Sequence, residues 1–233
     1  MKTVIHTISA MDVFGPEKTV LNECLALEAA GWRARIVNLW ESEDVPMSHK
    51  ARSAGARYEV LRTAGKFDIA AIRALARQLR AEQDVVVHSH GYKADLYTLL
   101  AARMAGVPVM TSAHGWTSEN AKVRLYERLQ AYLWRWFDRV VAVSQSYREL
   151  AEAAGVPERK LVVVHNAIRS NYQVPDAGQR RRSRELLGLA DGDVAIAVIG
   201  RLGVEKGHRL FVEAAGRLAP RHGQAQFLII GDG

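Results

Sequence analysis

Short runs of β-branched and aliphatic residues recur along this chain, each followed by a stretch with helical spacing. That alternation restricts the fold more than any other feature. Val4 to Ile8, Arg33 to Leu39, Val85 to Ser89, Val109 to Ala113, Val140 to Val143 and Leu161 to Val164 read as strands, with Tyr58 to Leu61 a weaker one. Helical spacing fills the intervals from about Glu17 to Ala30, Phe67 to Leu79, Lys93 to Ala105, Lys122 to Phe137 and Tyr147 to Ala154. Gly31 is placed to end the first of these helices. The polar region from Glu41 to Gly55 reads as a loop. Strands joined through helices by short turns pair in parallel, and such a sheet is covered on both faces. Its ligands bind beyond the carboxyl ends of the strands, so chemistry is sought in the residues that follow each strand.

The periodicity lapses from Ala167 to Gly178, where Pro175-Asp176-Ala177-Gly178 reads as a linker. The expected organisation is a first domain over 1–166, a linker over 167–178 and a second domain over 179–233. The second has a basic helix near Gln179 to Leu187, a strand Val194 to Val198, a helix His208 to Leu218 and a strand Phe227 to Ile230. Two strands and two helices cannot cover both faces of a sheet, and so small a unit buries too little to be stable alone. The second domain therefore reads as incomplete, and the chain as a fragment of a longer protein.

Charge narrows the partners. Lys and Arg outnumber Asp and Glu by 32 to 25, so the surface favours anions. The positive charge is dispersed except at Arg180-Arg181-Arg182 and Arg184, and no basic stripe carries stacking aromatics at sheet period, which excludes nucleic acid as the expected partner. The single cysteine, Cys24, excludes an intrachain disulfide and fits a reducing compartment. Met1 to Ile8 lacks the apolar core of a signal peptide, and no apolar run approaches the roughly 18 residues of a membrane span. The expected location is cytoplasmic.

Ile199-Gly200-Arg201-Leu202-Gly203-Val204-Glu205-Lys206-Gly207 is the most suggestive loop. It follows a strand and opens a helix, so backbone N–H groups and a helix N-terminus can face an anion, with Arg201 and Lys206 adding two cations. That combination suits a diphosphate; a charged, solvated loop is the plain alternative. After the first strand, Gly15 and Pro16 stand at a helix start, where free N–H groups can meet a phosphate. Glu17 either complements the helix dipole or accepts from a substrate hydroxyl. His88 and His90 alternate and can share one strand face, as metal ligands do, but no nearby carboxylate or cysteine completes a set. They are expected to be hydrogen-bonded structural or substrate-lining residues, with no metal. His114 directly follows a strand and can donate to a sugar hydroxyl or steady a developing charge. The helix over 122–137 places Val123, Tyr126, Leu129, Leu133 and Trp136 at core spacing, and its remaining arginines and aromatics could rest on anionic lipid.

Read together, several segments resemble the motifs of the GT-B family 4 glycosyltransferases. They are Phe14-Gly15-Pro16-Glu17-Lys18, His88-Ser89-His90-Gly91, Ser112-Ala113-His114-Gly115, Val140-Val141-Ala142-Val143-Ser144, Val162-Val163-Val164-His165-Asn166, and Ile199 to Gly207 followed by Gly231-Asp232-Gly233. The resemblance implies an α/β chain of two Rossmann-like parallel-sheet domains, the second incomplete. It implies a retaining hexosyltransferase that takes a nucleotide-diphosphate sugar and serves a glycan or lipid-linked acceptor in exopolysaccharide or glycoconjugate synthesis. On that pattern Arg201 and Lys206 hold the donor diphosphate in place of a metal, Gly15 and Gly231 border the donor, and His114 lies beside the transferred sugar. Glu17 and His90 are assigned to the acceptor. No cofactor and no metal are expected, and the 122–137 helix is a candidate contact with the inner face of the cytoplasmic membrane. The sequence departs from the family at Pro16, at Ala167 after Asn166, and at Arg169. The family's later glutamate pair has no counterpart up to Gly233, so the 233-residue chain is expected to be inactive alone. Two other readings share the motifs: a sugar-nucleotide epimerase of the same fold, and a non-catalytic module that binds an acceptor or lipid.

Overall fold

A computed structural model describes residues 2–65, 67–114, 116, 120–167 and 173–231, with residue 205 described through its backbone alone. The chain forms two compact units, Met1–Arg169 and Ser170–Gly233. In the first, β1 (Thr3–Ile8), α1 (Gly15–Ala29), β2 (Arg33–Trp40), α2 (Pro46–Ser53), β3 (Tyr58–Arg62), α3 (Ile69–Arg80) and β4 (Val85–His90) follow one another. Then come α4 (Tyr92–Ala105), β5 (Val109–Ala113), α5 (Ala121–Trp134), β6 (Arg139–Ala142), α6 (Gln145–Ala153) and β7 (Leu161–Val163). The strands make one sheet in the order β3-β2-β1-β4-β5-β6-β7, and every pairing is parallel. The order reverses between β1 and β4, the place where doubly wound sheets open a crevice at their carboxyl edge.

Strand alternation sorts the core into two layers. Ile5, Val37, Leu39, Val87 and Val109 face α3, α4 and α5 with Leu75, Leu79, Tyr97 and Trp134. Ile8, Ala34 and Ile36 face α1 and α2 with Val20, Leu21, Cys24 and Met47. The second layer holds a helix where the sequence predicts a loop. Pro46 occupies the first turn of α2 and Met47, Ser48 and Ala51 are its buried residues. A buried serine among few apolar residues hides its helical period.

The predicted core stripe of α5 is corrected. Glu127, Gln130, Ala131 and Trp134 are its buried residues, whereas Leu125, Leu129, Tyr132 and Trp136 are exposed. The reason is Asp95, fully buried in the first turn of α4. Its carboxylate accepts from Ser89 Oγ at 2.5 Å, Thr111 Oγ1 at 2.8 Å, Gln130 Nε2 at 2.8 Å and Trp134 Nε1 at 3.3 Å. A buried carboxylate needs donors, and supplying them turns the polar side of α5 inward.

In the second unit, α7 (Ala177–Leu186), β8 (Val194–Ile199), α8 (His208–Leu218) and β9 (Ala225–Ile230) follow, and β8 pairs with β9 in parallel. Helix α7 starts inside the predicted linker because Asp176 caps it, accepting from the Gln179 N–H at 2.7 Å. None of the described residues from 173 to 231 is buried.

Replacing Asp95 by alanine removes the acceptor shared by four donors in the core. Urea unfolding should show a loss of about 3–5 kcal/mol for Asp95→Ala; a loss below about 1 kcal/mol would show that the carboxylate does not organise the unit.

Candidate functional site

Polar side chains interrupt the apolar layer under α1. His6 of β1 and His88 of β4 are register partners, so their rings share a face, and His90 follows two residues on. Ring centroids lie 5.3 Å apart for His6 and His88, 4.1 Å for His88 and His90, and 5.4 Å for His6 and His90. His6 Nδ1 meets His90 Nε2 at 3.1 Å, His90 Nδ1 meets His114 Nε2 at 2.9 Å, and His88 Nε2 meets Ser112 Oγ at 2.8 Å. From α1, Glu23 Oε2 comes to 3.9 Å from both His6 Nδ1 and His88 Nδ1, beyond hydrogen-bond length.

Burial sets the charge of this group. It pulls His6 and His114 down to about 4 and holds His88 and His90 well below the ordinary imidazole value, with repulsion from neighbouring histidines adding to the last two. Burial also raises the Glu23 carboxyl to about 6. The imidazoles are therefore neutral at neutral pH. Beside them opens a cleft of about 510 Å³, lined by Glu23 and Ser112 with Asn22, Val143, His165 and Asn166 among others.

The predicted site residues of the first unit fall near this edge. His90 and His114 belong to the cluster, and both nitrogens of His90 are engaged. Glu17 Oε2 accepts from the Phe14 N–H at 3.1 Å and so closes the start of α1. Gly15 opens α1 with nothing within 4 Å of where a Cβ would lie, so the fold itself leaves room for a side chain there. The expectation that no carboxylate completes a ligand set with His88 and His90 is corrected, because packing of α1 on the sheet brings Glu23 to them and pairing brings His6. The available signals were a histidine inside an apolar strand and a glutamate three residues after Val20, on the stripe that α1 buries.

In the second unit, β8 ends at Ile199, residues Val204–Lys206 make one tight turn, and α8 starts at His208 without a side-chain cap. The Lys206 stem lies over Gly200, whose added Cβ would sit 3.5 Å from Lys206 Cδ and Cε. Gly231 has φ +154°, and a Cβ there would collide with the Gly200 carbonyl oxygen, so close approach of the β8 and β9 ends requires glycine. Arg201 stands exposed in the same turn. The sequence reading passed over His208, neither of whose ring nitrogens has a partner among the described residues.

Comparison with known proteins gives this site its context. The family model described as Glycosyltransferase Family 4 matches residues 13–172. The UDP-Gal:alpha-D-GlcNAc-diphosphoundecaprenol alpha-1,3-galactosyltransferase of Escherichia coli is 26% identical over 174 residues, 71% of this chain and 45% of that protein. The alpha-D-kanosaminyltransferase of Streptomyces kanamyceticus is 28% identical over 172 residues, 67% of this chain and 44% of that protein. The chain thus spans a little under half the length of these curated relatives. Among solved structures, Anabaena HepE in complex with UDP and glucose superposes with a TM-score of 0.83 at 17% identity, over 100% of this chain and 62% of that one. At that identity the likeness is one of fold.

The neutral histidines make stability depend on pH with a definite sign. Their folded-state values lie below the unfolded 6.5, so the unfolded chain binds more protons as pH falls from about 6.5 to 4, and stability is lost over that window. Glu23 works oppositely: raised from 4.5 to about 6, it contributes stability below 4.5 that is lost as pH rises through 6. Urea midpoints in metal-free buffer should fall between pH 6.5 and 4, more steeply for Glu23→Gln, which lacks the opposing group. A Glu23→Gln profile parallel to that of the unaltered chain would contradict the assignment.

Proposed function

Because the chain belongs to glycosyltransferase family 4, we propose that it serves retaining transfer of a hexose from a nucleotide-diphosphate sugar to a glycan or lipid-linked acceptor. The observation that carries this reading is the family match, which covers 160 of the 233 residues (172 − 13 + 1). The Escherichia coli relative, whose name specifies a diphosphoundecaprenol-linked acceptor, supports the lipid-linked alternative and a place in glycoconjugate assembly. The Anabaena neighbour, held with UDP and glucose, supports a nucleotide-sugar donor.

The residue roles are those the family resemblance implies, and their chemistry suits them. Arg201 and Lys206, at the open N-terminus of α8, neutralise the donor diphosphate, and this makes donor binding independent of a metal ion. Gly231 keeps the strand ends close enough for the backbone to border the donor, and Gly15 leaves the α1 N-terminus open to a phosphate group. His114, neutral at neutral pH, donates to a hydroxyl of the transferred sugar. Glu17 and His90 stand on the acceptor side, His90 as the residue that orients His114. Transfer proceeds on one face of the sugar: the bond from the anomeric carbon to the donor phosphate breaks, and the acceptor oxygen bonds to that carbon. The departing phosphate takes the acceptor's proton, so the protein supplies chiefly positioning and charge stabilisation. This scheme requires no acid/base pair, which a sugar-nucleotide epimerase does.

The outward face of α5 suggests where a lipid-linked acceptor is met. Leu125, Leu129 and Tyr132, with Trp136 just beyond the helix end, are exposed beside Lys122, Arg124 and Arg128. No helix among the described residues is long and apolar enough to cross a membrane. An exposed apolar row flanked by cations suits peripheral attachment to an anionic leaflet.

Arg201→Ala or Lys206→Ala should each weaken nucleoside-diphosphate binding at least tenfold in titration calorimetry, with chelator present throughout. In the transferring protein each loss should cost about 3 kcal/mol of transition-state stabilisation. Undiminished binding in both variants would remove the donor site, and with it the distinction from a module that only binds an acceptor. For the membrane face, the chain should sediment with anionic vesicles at low salt and be released as salt rises. Charge removal at Lys122, Arg124 and Arg128 should abolish that binding, whereas salt-independent sedimentation would overturn it.

A further inference from the structure

Three imidazoles and one carboxylate converge beneath α1. His6, Glu23, His88 and His90 each bring one ligand atom into a group whose members all lie within 4.8 Å of one another. The inward-facing atoms are His6 Nδ1 and His90 Nε2, 3.1 Å apart, and Glu23 Oε2, 3.9 Å from His6 Nδ1 and from His88 Nδ1. In a tetrahedral site with metal–ligand bonds of about 2.0–2.1 Å, ligand atoms stand roughly 3.4 Å apart. The His6–His90 edge already fits, the Glu23 edges to His6 and His88 need to close by about 0.5 Å, and the remaining edges lie within 4.8 Å. Glu23 can make that movement, being 39% exposed at its side chain where the histidines are buried.

We propose that His6, Glu23, His88 and His90 form a divalent transition-metal site, for which Zn²⁺ is the fitting ion. Three nitrogens and one oxygen are the donor set that Zn²⁺ shares with its borderline neighbours, and hard cations such as Mg²⁺ need more oxygens. The outer contacts agree. A ligating histidine ordinarily donates its other ring N–H to a fixed acceptor. Here His88 Nε2 meets Ser112 Oγ at 2.8 Å and His90 Nδ1 meets His114 Nε2 at 2.9 Å, so both second nitrogens point at partners while the first ones face the centre. The ion has a way in, since Glu23 and Ser112 line the open cleft. His6 and His88 are fixed by β1–β4 pairing, which holds two ligands in place before any ion arrives. The site belongs wholly to the first unit; it shares His90 with the sugar-transfer reading, in which the donor diphosphate itself needs no metal.

The full chain, stripped with chelator, should bind Zn²⁺ at one equivalent in competition with a chromophoric chelator. Co²⁺ in its place should give the intense visible bands of four-coordination, and Zn²⁺ should raise the melting temperature. Glu23→Gln and His88→Asn should each weaken Zn²⁺ binding at least about tenfold, a loss that even outer-shell changes reach. His49→Asn, which alters an exposed histidine of α2, should leave it unchanged. Because His88→Asn disturbs the core, the half-exposed Glu23→Gln variant decides the matter if the other does not fold. The proposal is overturned by absence of stoichiometric binding, by undiminished affinity in Glu23→Gln, by a six-coordinate Co²⁺ spectrum, or by an equal loss in His49→Asn.

Discussion

The carboxylate of Asp95 is the interaction on which the first unit depends. It is fully buried, and it is tolerable there only because β4, β5 and α5 deliver four donors to it. Ser89 and Thr111 point to that side of the sheet, so their strand neighbours His88, His90 and Ser112 must point to the other. One buried, hydrogen-bonded carboxyl group on the α4 face thereby fixes the histidines on the α1 face. Register and polar satisfaction enforce each other, and a slip of one residue would undo both.

Much of this was legible in the chain. The alternation of apolar runs and helical stretches located all nine strands of the described residues, because runs of β-branched and aliphatic residues bounded by turns mark strands. Helix α2 was not legible, since its buried side includes Ser48 and its apolar residues are too few to show a period. The packing face of α5 was misread for a related reason: pattern reading assigns apolar residues to the core, and Asp95 reverses that preference. The α5 error could not be corrected locally, because it arises from Asp95, a partner far away in sequence.

Candidate site residues were legible in part. Those that follow a strand, such as His114, or that fill a glycine-rich turn, such as Arg201 and Lys206, stand out by position as candidates. His6 and Glu23 do not, because strand order and the placement of α1 bring them to His88. Sequence reasoning counts ligands along the chain, whereas the sheet collects them across it. The two units also meet charge in opposite ways. The first holds a neutral, desolvated group of imidazoles, and the second presents exposed cations at a helix start.

The chain of rings from His6 through His90 to His114 has a directional consequence. A neutral imidazole carries a single N–H, so two successive ring-to-ring bonds can run only head to tail. If His6 Nδ1 donates to His90 Nε2, then His90 Nδ1 donates to His114 Nε2, and His114 offers its Nδ1–H outward. If the sense is reversed, His114 offers a bare lone pair instead. The outermost ring is thus a donor or an acceptor according to a choice made at the innermost one. A cation on His90 Nε2 takes the place of the His6 N–H and leaves the proton on His90 Nδ1, so His114 accepts at Nε2 and offers its Nδ1–H outward; an event buried under α1 would thus dictate the hydrogen-bonding character of the surface that a sugar hydroxyl would meet.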